Sequence, residues 1–141
     1  MSPPAGGRCF VDTNVLLYTF QDEDSRKRDL AIDLVALLAR ERRGVLSTQV
    51  LLELFNNLVR KVRVSPLTAS RMTAAFCEWP IVDSDAALVM RGMARATESR
   101  LAIWDAMMVE AALRAEATTL YSENLNHGQR FGALQLVNPF V

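Results

Sequence analysis

At residues 9–18 the chain reads CFVDTNVLLY. A short apolar run, an acid, a polar pair and a second apolar run follow one another without a spacer. Arg8–Val11 reads as a short buried strand, and Thr13–Thr19 reads as a helix that follows at once. Asp12 therefore stands just past the end of a strand. In an open α/β sheet that is the carboxyl edge, where ligand sites lie. Asp12, Thr13 and Asn14 are also good helix-capping residues, so position alone leaves both roles open.

The same alternation continues outward. Ser25–Arg43 is amphipathic, with Leu30, Leu34, Leu37 and Leu38 on one face and Arg26, Asp29, Asp33 and Arg40 off it, and Gly44 reads as its stop signal. Val45–Ser47 can form a second strand and Gln49–Val62 a third helix. Pro66 opens a helix to about Glu78, and Pro80 precedes a brief strand at Ile81–Val82. Ser84 or Asp85 caps a helix to about Thr97, and Ile103–Glu116 is rich enough in Ala, Met and Val to be deeply buried. Thr118–Tyr121 and Ala133–Val137 are the last strands. Strands alternating with helices predict an α/β fold, a mostly parallel sheet covered on both faces.

The chain has 141 residues, half of them hydrophobic and 23% charged, which suits one domain with a real core. Residues 1–7 read as a flexible lead and 8–141 as a single domain. The lead lacks the apolar stretch of a signal peptide, and no uncharged run is long enough to cross a membrane. The expected location is the cytoplasm. Cys9 and Cys77 are the only cysteines and His127 the only histidine. A structural disulfide is not expected, a zinc site of His and Cys is nearly excluded, and no nucleophile-elbow pattern accompanies His127. Formal net charge is zero, so the molecule as a whole does not attract polyanions.

Two further acids stand in apolar settings. Glu53 interrupts VLLELF at 50–55 and Asp105 follows IleTrp in IWDAMM at 103–108. Carboxylates among large hydrophobes are costly to bury unless paired, hydrogen-bonded or bound to a cation. On a helix Glu53 shares a side with Asn56 or Asn57 and with Arg60, which is equally the pattern of a solvent stripe. Asp105 faces Met108, Val109 and Ala112, and could also cap its helix. The segment SENLN at 122–126, directly after a strand, offers a hydroxyl, a carboxylate and two amides, and could also be a plain turn. Taken together, these oxygen donors suit one Mg2+ or Mn2+ ion. Such an ion would polarise the water that attacks a phosphodiester. An aspartyl-nucleophile phosphatase is disfavoured, because Asn14 stands where its second Asp belongs and no lysine follows Lys61.

FVDTNVLLY at 10–18, STQVLLELFN at 47–56, IWDAMMVEAA at 103–112 and LYSENLNHGQ at 120–129 together resemble the PIN-domain ribonucleases, VapC-type toxins of bacterial toxin–antitoxin pairs above all. The resemblance runs from about Cys9 to Phe140. It implies a three-layer sandwich with a sheet of four to five strands, and cleavage of single-stranded RNA with Mg2+ or Mn2+. It also implies a small antitoxin partner and a homodimer. By resemblance Asp12, Glu53 and Asp105 are the catalytic and metal-binding acids. Thr13, Asn14 and Ser122 are their polar support. Asn124 departs from the family, which usually has Asp there; an amide keeps an oxygen ligand and loses the charge. Glu123 and Asn126 are the neighbours that could compensate. A weakened module that binds RNA or a protein without efficient cleavage is the alternative that Asn124 raises.

Overall fold

A computed structural model describes residues 7–141. Of the expected lead, all but Gly7 lies outside the described residues, and the Gly7 carbonyl accepts from Arg43 Nε at 3.0 Å. Six strands form one sheet: β1 (Cys9–Val11), β2 (Gly44–Ser47), β3 (Ile81–Val82), β4 (Thr119–Tyr121), β5 (Arg130–Phe131) and β6 (Leu134–Val137), in the order β3-β2-β1-β4-β6-β5. Every pairing is parallel except β5 with β6. The helices are α1 (Thr13–Tyr18), α2 (Ser25–Glu41), α3 (Thr48–Asn57), α4 (Pro66–Ala75), α5 (Ala86–Ser99) and α6 (Ile103–Arg114). The expected α/β fold, a mostly parallel sheet flanked by helices, is present.

The sheet has one strand more than the upper expectation. β5 is two residues long and joins β6 through a two-residue turn in which Gly132 takes a φ of +60°. So short a strand leaves no alternation to read. Phe10 of β1 pairs with Val45 on one side and Leu120 on the other. Phe10, Leu46, Leu120 and Leu136 are all fully buried, so the core lies on the central strands.

The sheet order creates a switch point. From β1 the chain moves outward through β2 and β3, then returns to place β4 on the other side of β1. Crevices open at such reversals, at the carboxyl ends of the strands. Asp12 follows β1 and Ser122 follows β4, so both stand at this crevice.

Helix ends show where the linear reading slipped. Asp24, Ser47, Ser65 and Asp85 cap α2, α3, α4 and α5 through their side chains. α2 stops at Arg42, which is left-handed at φ 56°, and not at Gly44. Gly44 begins β2, and a β-carbon there would lie 2.3 Å from the Trp79 ring. A close approach, not a helix stop, requires glycine. Leu30 is exposed; Ala31 and Leu38 carry the buried face of α2. The helix expected over Gln49–Val62 is α-helical to Asn57 and then makes a π-helical turn, Leu58–Val62, closed by Arg63 at φ 67°.

α6 is as buried as expected, with one charge that sequence reading passed over. Glu110 is 4% exposed and pairs with Arg91 (3.3 Å) and Arg95 (2.8 Å) of α5. Removing one side of a buried pair leaves the other uncompensated, so this contact ties α5 to α6 specifically. Cys9 is buried and Cys77 exposed, and both are free thiols. Among the described residues no helix is long and apolar enough to cross a membrane.

Gly44→Ala should destabilise the domain by about 1–3 kcal/mol, the cost of overpacking against the Trp79 ring. Urea unfolding checks it: the midpoint should fall with an unchanged slope. An unchanged midpoint would mean that Trp79 yields freely.

Candidate functional site

Three elements deliver the three acids. Asp12 comes from the end of β1, Glu53 from the middle of α3 and Asp105 from the first turn of α6. All three line one cleft, together with Thr13, Asn14 and Asn124. A roomier hollow lined by Leu38, Trp79 and Pro80 includes none of these acids.

Capping does not explain the two aspartates. Asp12 occupies the cap position of α1, yet its side chain makes no cap hydrogen bond. The cap position of α6 belongs to Ala102, leaving Asp105 within the first turn. The four helices with working caps show what that role looks like in this fold, and these acids do not fill it.

The acids are instead oriented by hydroxyls. Ser122 Oγ donates to Asp12 Oδ2 at 2.7 Å, a bond that crosses the switch point and is itself buried. Thr13 Oγ1 donates to Glu53 Oε1 at 2.7 Å, and Gln49 Nε2 donates to Glu53 Oε2 at 3.1 Å. The Asn124 backbone N–H donates to Ser122 Oγ at 3.2 Å, which seats the residue that departs from the family pattern beside Asp12's partner.

Asp12 is 6% exposed. Burial pushes its pKa up to about 6; the negative charges of Glu53 and Asp105 push the same way, and the Ser122 hydrogen bond opposes them. Burial, then the charge of Glu53, also raises Asp105. The site carries more negative charge than its surroundings solvate, which is the condition a cation relieves. The Asn14 Oδ1 atom adds to this, being buried without a hydrogen-bond partner. Among the described residues no three acidic, histidine or cysteine side chains close on one point tightly enough to enclose an ion by themselves. A hard cation that keeps several waters needs only one or two direct carboxylates, so the donor set suits such an ion and not a closed protein cage.

Two expected members of the support lie elsewhere. Glu123 accepts from Tyr18 Oη at 2.7 Å and pairs with Lys27, so it does not line the cleft. Asn126 donates to Gln129 Oε1 at 3.2 Å. His127 accepts from the Asn138 backbone N–H at 3.0 Å and only holds a loop. Lys61, Gln49 and Trp104 were not singled out from the sequence as site residues. The cleft takes Lys61 from the C-terminal end of the α3 segment, and not Arg60, which helical periodicity puts on Glu53's side.

A family model described as "PIN domain" matches residues 9–129. No curated protein sequence matches. Among solved structures, VapBC2 from Rickettsia felis bound to a promoter DNA fragment is similar at 22% identity and a TM-score of 0.64, over 91% of this chain and 96% of that one. A toxin–antitoxin complex from Klebsiella pneumoniae is similar at 18% identity and 0.67, over 93% and 97%. VapC20 of Mycobacterium tuberculosis, a Sarcin-Ricin loop cleaving toxin, is similar at 20% identity and 0.63, over 79% and 86%. At these identities the likeness is one of fold.

The raised pKa of Asp12 has a signed consequence. The folded protein binds a proton more tightly at Asp12 than the unfolded chain does, so the metal-free protein gains stability as pH falls below about 6. Asp12→Asn mimics the neutral acid. In chelator the variant should be more stable than wild type at pH 7.5, by on the order of 2 kcal/mol, and the difference should shrink steadily below pH 6. Thermal melts across pH check this; a difference independent of pH would contradict it.

Proposed function

The chain belongs to the PIN-domain family, and on that premise we propose that it is a divalent-cation-dependent endoribonuclease that cuts single-stranded RNA as the toxin of a toxin–antitoxin pair. One observation carries the reading. Asp12, Glu53 and Asp105, far apart in the chain, line a single cleft at the switch point of the sheet, and neither aspartate is spent as a cap.

Asp12, Glu53 and Asp105 would hold the ion, with Asn14 and Asn124 offering amide oxygens; all five line the cleft. Mg2+ or Mn2+ suits these hard donors. When bound, the ion supplies positive charge against the phosphodiester and makes water more acidic. The chain's own residues do the positioning. Ser122 fixes Oδ2 of Asp12. Thr13 and Gln49 hold both oxygens of Glu53, so that carboxylate turns little when an ion or its waters arrive. Neutralising the cleft would lower Asp12's pKa from about 6 and keep it ionised at neutral pH.

A small antitoxin covering this cleft, a homodimeric state and a cytoplasmic setting are part of the same proposal. The similar Klebsiella pneumoniae structure is a toxin–antitoxin complex, and the Mycobacterium tuberculosis protein is a Sarcin-Ricin loop cleaving toxin. Asn124 lines the cleft without adding charge, so the site binds cations through fewer carboxylates than the family pattern provides.

Purified protein should cut single-stranded RNA in Mg2+ or Mn2+, and chelator or Asp12→Ala should lower the rate by roughly a hundredfold or more. Full activity in chelator would sink the proposal. Asn124→Asp should tighten cation binding in a calorimetric titration, because it places another carboxylate in the cleft; weaker or unchanged binding would show that position 124 lies outside the ion's reach.

A further inference from the structure

We propose that the RNA strand runs along α3, with a base stacked on Trp104 at one end and a backbone phosphate held by Lys61 at the other. This rests on the nuclease reading above and adds to it the residues that grip substrate on either side of the acids.

Trp104 is 64% exposed, although large aromatic side chains usually bury most of their surface. It lines the acidic cleft, a mainly polar setting that gives the ring no packing reason to be there. Its carbonyl accepts from Gln49 Nε2 at 3.2 Å, and Gln49 also donates to Glu53. The Trp104 backbone is thus tied to the N-terminal end of α3, next to an acid of the site. An exposed aromatic face at the cleft of the acids suits base stacking, which tolerates any base because each has a π-face. It also selects single strands, since a paired base cannot be splayed onto the ring.

Lys61 is the only cationic side chain lining the cleft among the described residues, and none of the ion pairs among them includes it. The π-helical turn at Leu58–Val62 places it. In an uninterrupted α-helix, Arg60 would share Glu53's face and Lys61 would point roughly 80° away. A π turn takes up more residues than an α turn, which hands that face to Lys61. Arg60 is left bonded to Asn56 at 3.2 Å. From Gln49 to Lys61 the helical rise is about 18 Å, with Glu53 between. A polyanion approaching three carboxylates meets repulsion that a neutral molecule does not offset at long range, so a cation at the cleft itself is where a neighbouring phosphate gains most.

The test is steady-state cleavage of a short end-labelled single-stranded RNA by the full-length protein in saturating Mn2+, across a salt series. Trp104→Ala should raise KM roughly tenfold with kcat within about twofold, and Trp104→Phe should keep most of the wild-type affinity. The salt dependence of KM should be unchanged in both. Lys61→Ala should raise KM and flatten its log–log salt slope by about 0.7, the loss of one phosphate contact on a single strand; Lys61→Arg should restore the slope. Both side chains are exposed, and matching melting curves will establish that the variants fold. An unchanged KM in Trp104→Ala, an unchanged slope in Lys61→Ala, or a loss confined to kcat overturns the strand path. Wild type that cuts RNA while all four variants match it overturns this proposal alone; wild type that cuts no RNA overturns the nuclease reading and this proposal with it.

Discussion

The hydrogen bond from Ser122 to Asp12 joins the two strands on which the whole architecture turns. It links the carboxyl ends of β1 and β4, adjacent strands whose connections lead to opposite sides of the sheet. A nearly water-free aspartate there is affordable only if its oxygens are directed and its charge is answered. Ser122 does the first. The second is left open within the protein: Glu53 and Asp105 add charge of the same sign, and the buried Asn14 oxygen has no partner. The fold invests its core in holding together a cluster that destabilises it, and a domain gives up stability in this way where the cluster has work to do.

Much of this was legible in the order of residues because the fold is built from short local rules. A run such as CysPheVal before AspThrAsn can scarcely be anything but a strand feeding a helix, and the alternation from β1 to β4 follows it closely. The acids were legible for a related reason: a charge in apolar company is an anomaly that a linear reading detects. Features set by contacts between distant segments were not. Gly44 looked like a helix stop until Trp79 was seen against it. Glu110 is a buried charge whose partners, Arg91 and Arg95, stand on a different helix, and nothing in its own neighbourhood along the chain marks it.

Two residues near the cleft are turned away from it, each for one physical reason. Glu123 has the right chemistry and the right distance along the chain, yet Tyr18 and Lys27 claim both its oxygens, with Lys27 also near the faces of Tyr18 and Phe140. That knot of side chains pins the segment after β4 and so holds Asn124 at the cleft while withdrawing its acidic neighbour. Helical periodicity carried past Asn57 puts Arg60 on the side of Glu53. The π-helical turn breaks the count, and nothing in LeuValArgLysVal announces it.

The bond between Ser122 and Asp12 spans 110 residues, and this separation bears on when the site comes into being. β1 is the first strand to be synthesised and β4 is among the last, yet they are neighbours. During synthesis Asp12 waits beside an empty position in the sheet until Thr119–Tyr121 has emerged, since domains close as units and distant pairings form late. Until then the nascent chain carries Asp12, Glu53 and Asp105 without the bond from Ser122 that closes the switch point. A chain cut before Thr119 would lack both β4 and Ser122, so Asp12 would have neither its neighbouring strand nor its hydroxyl partner.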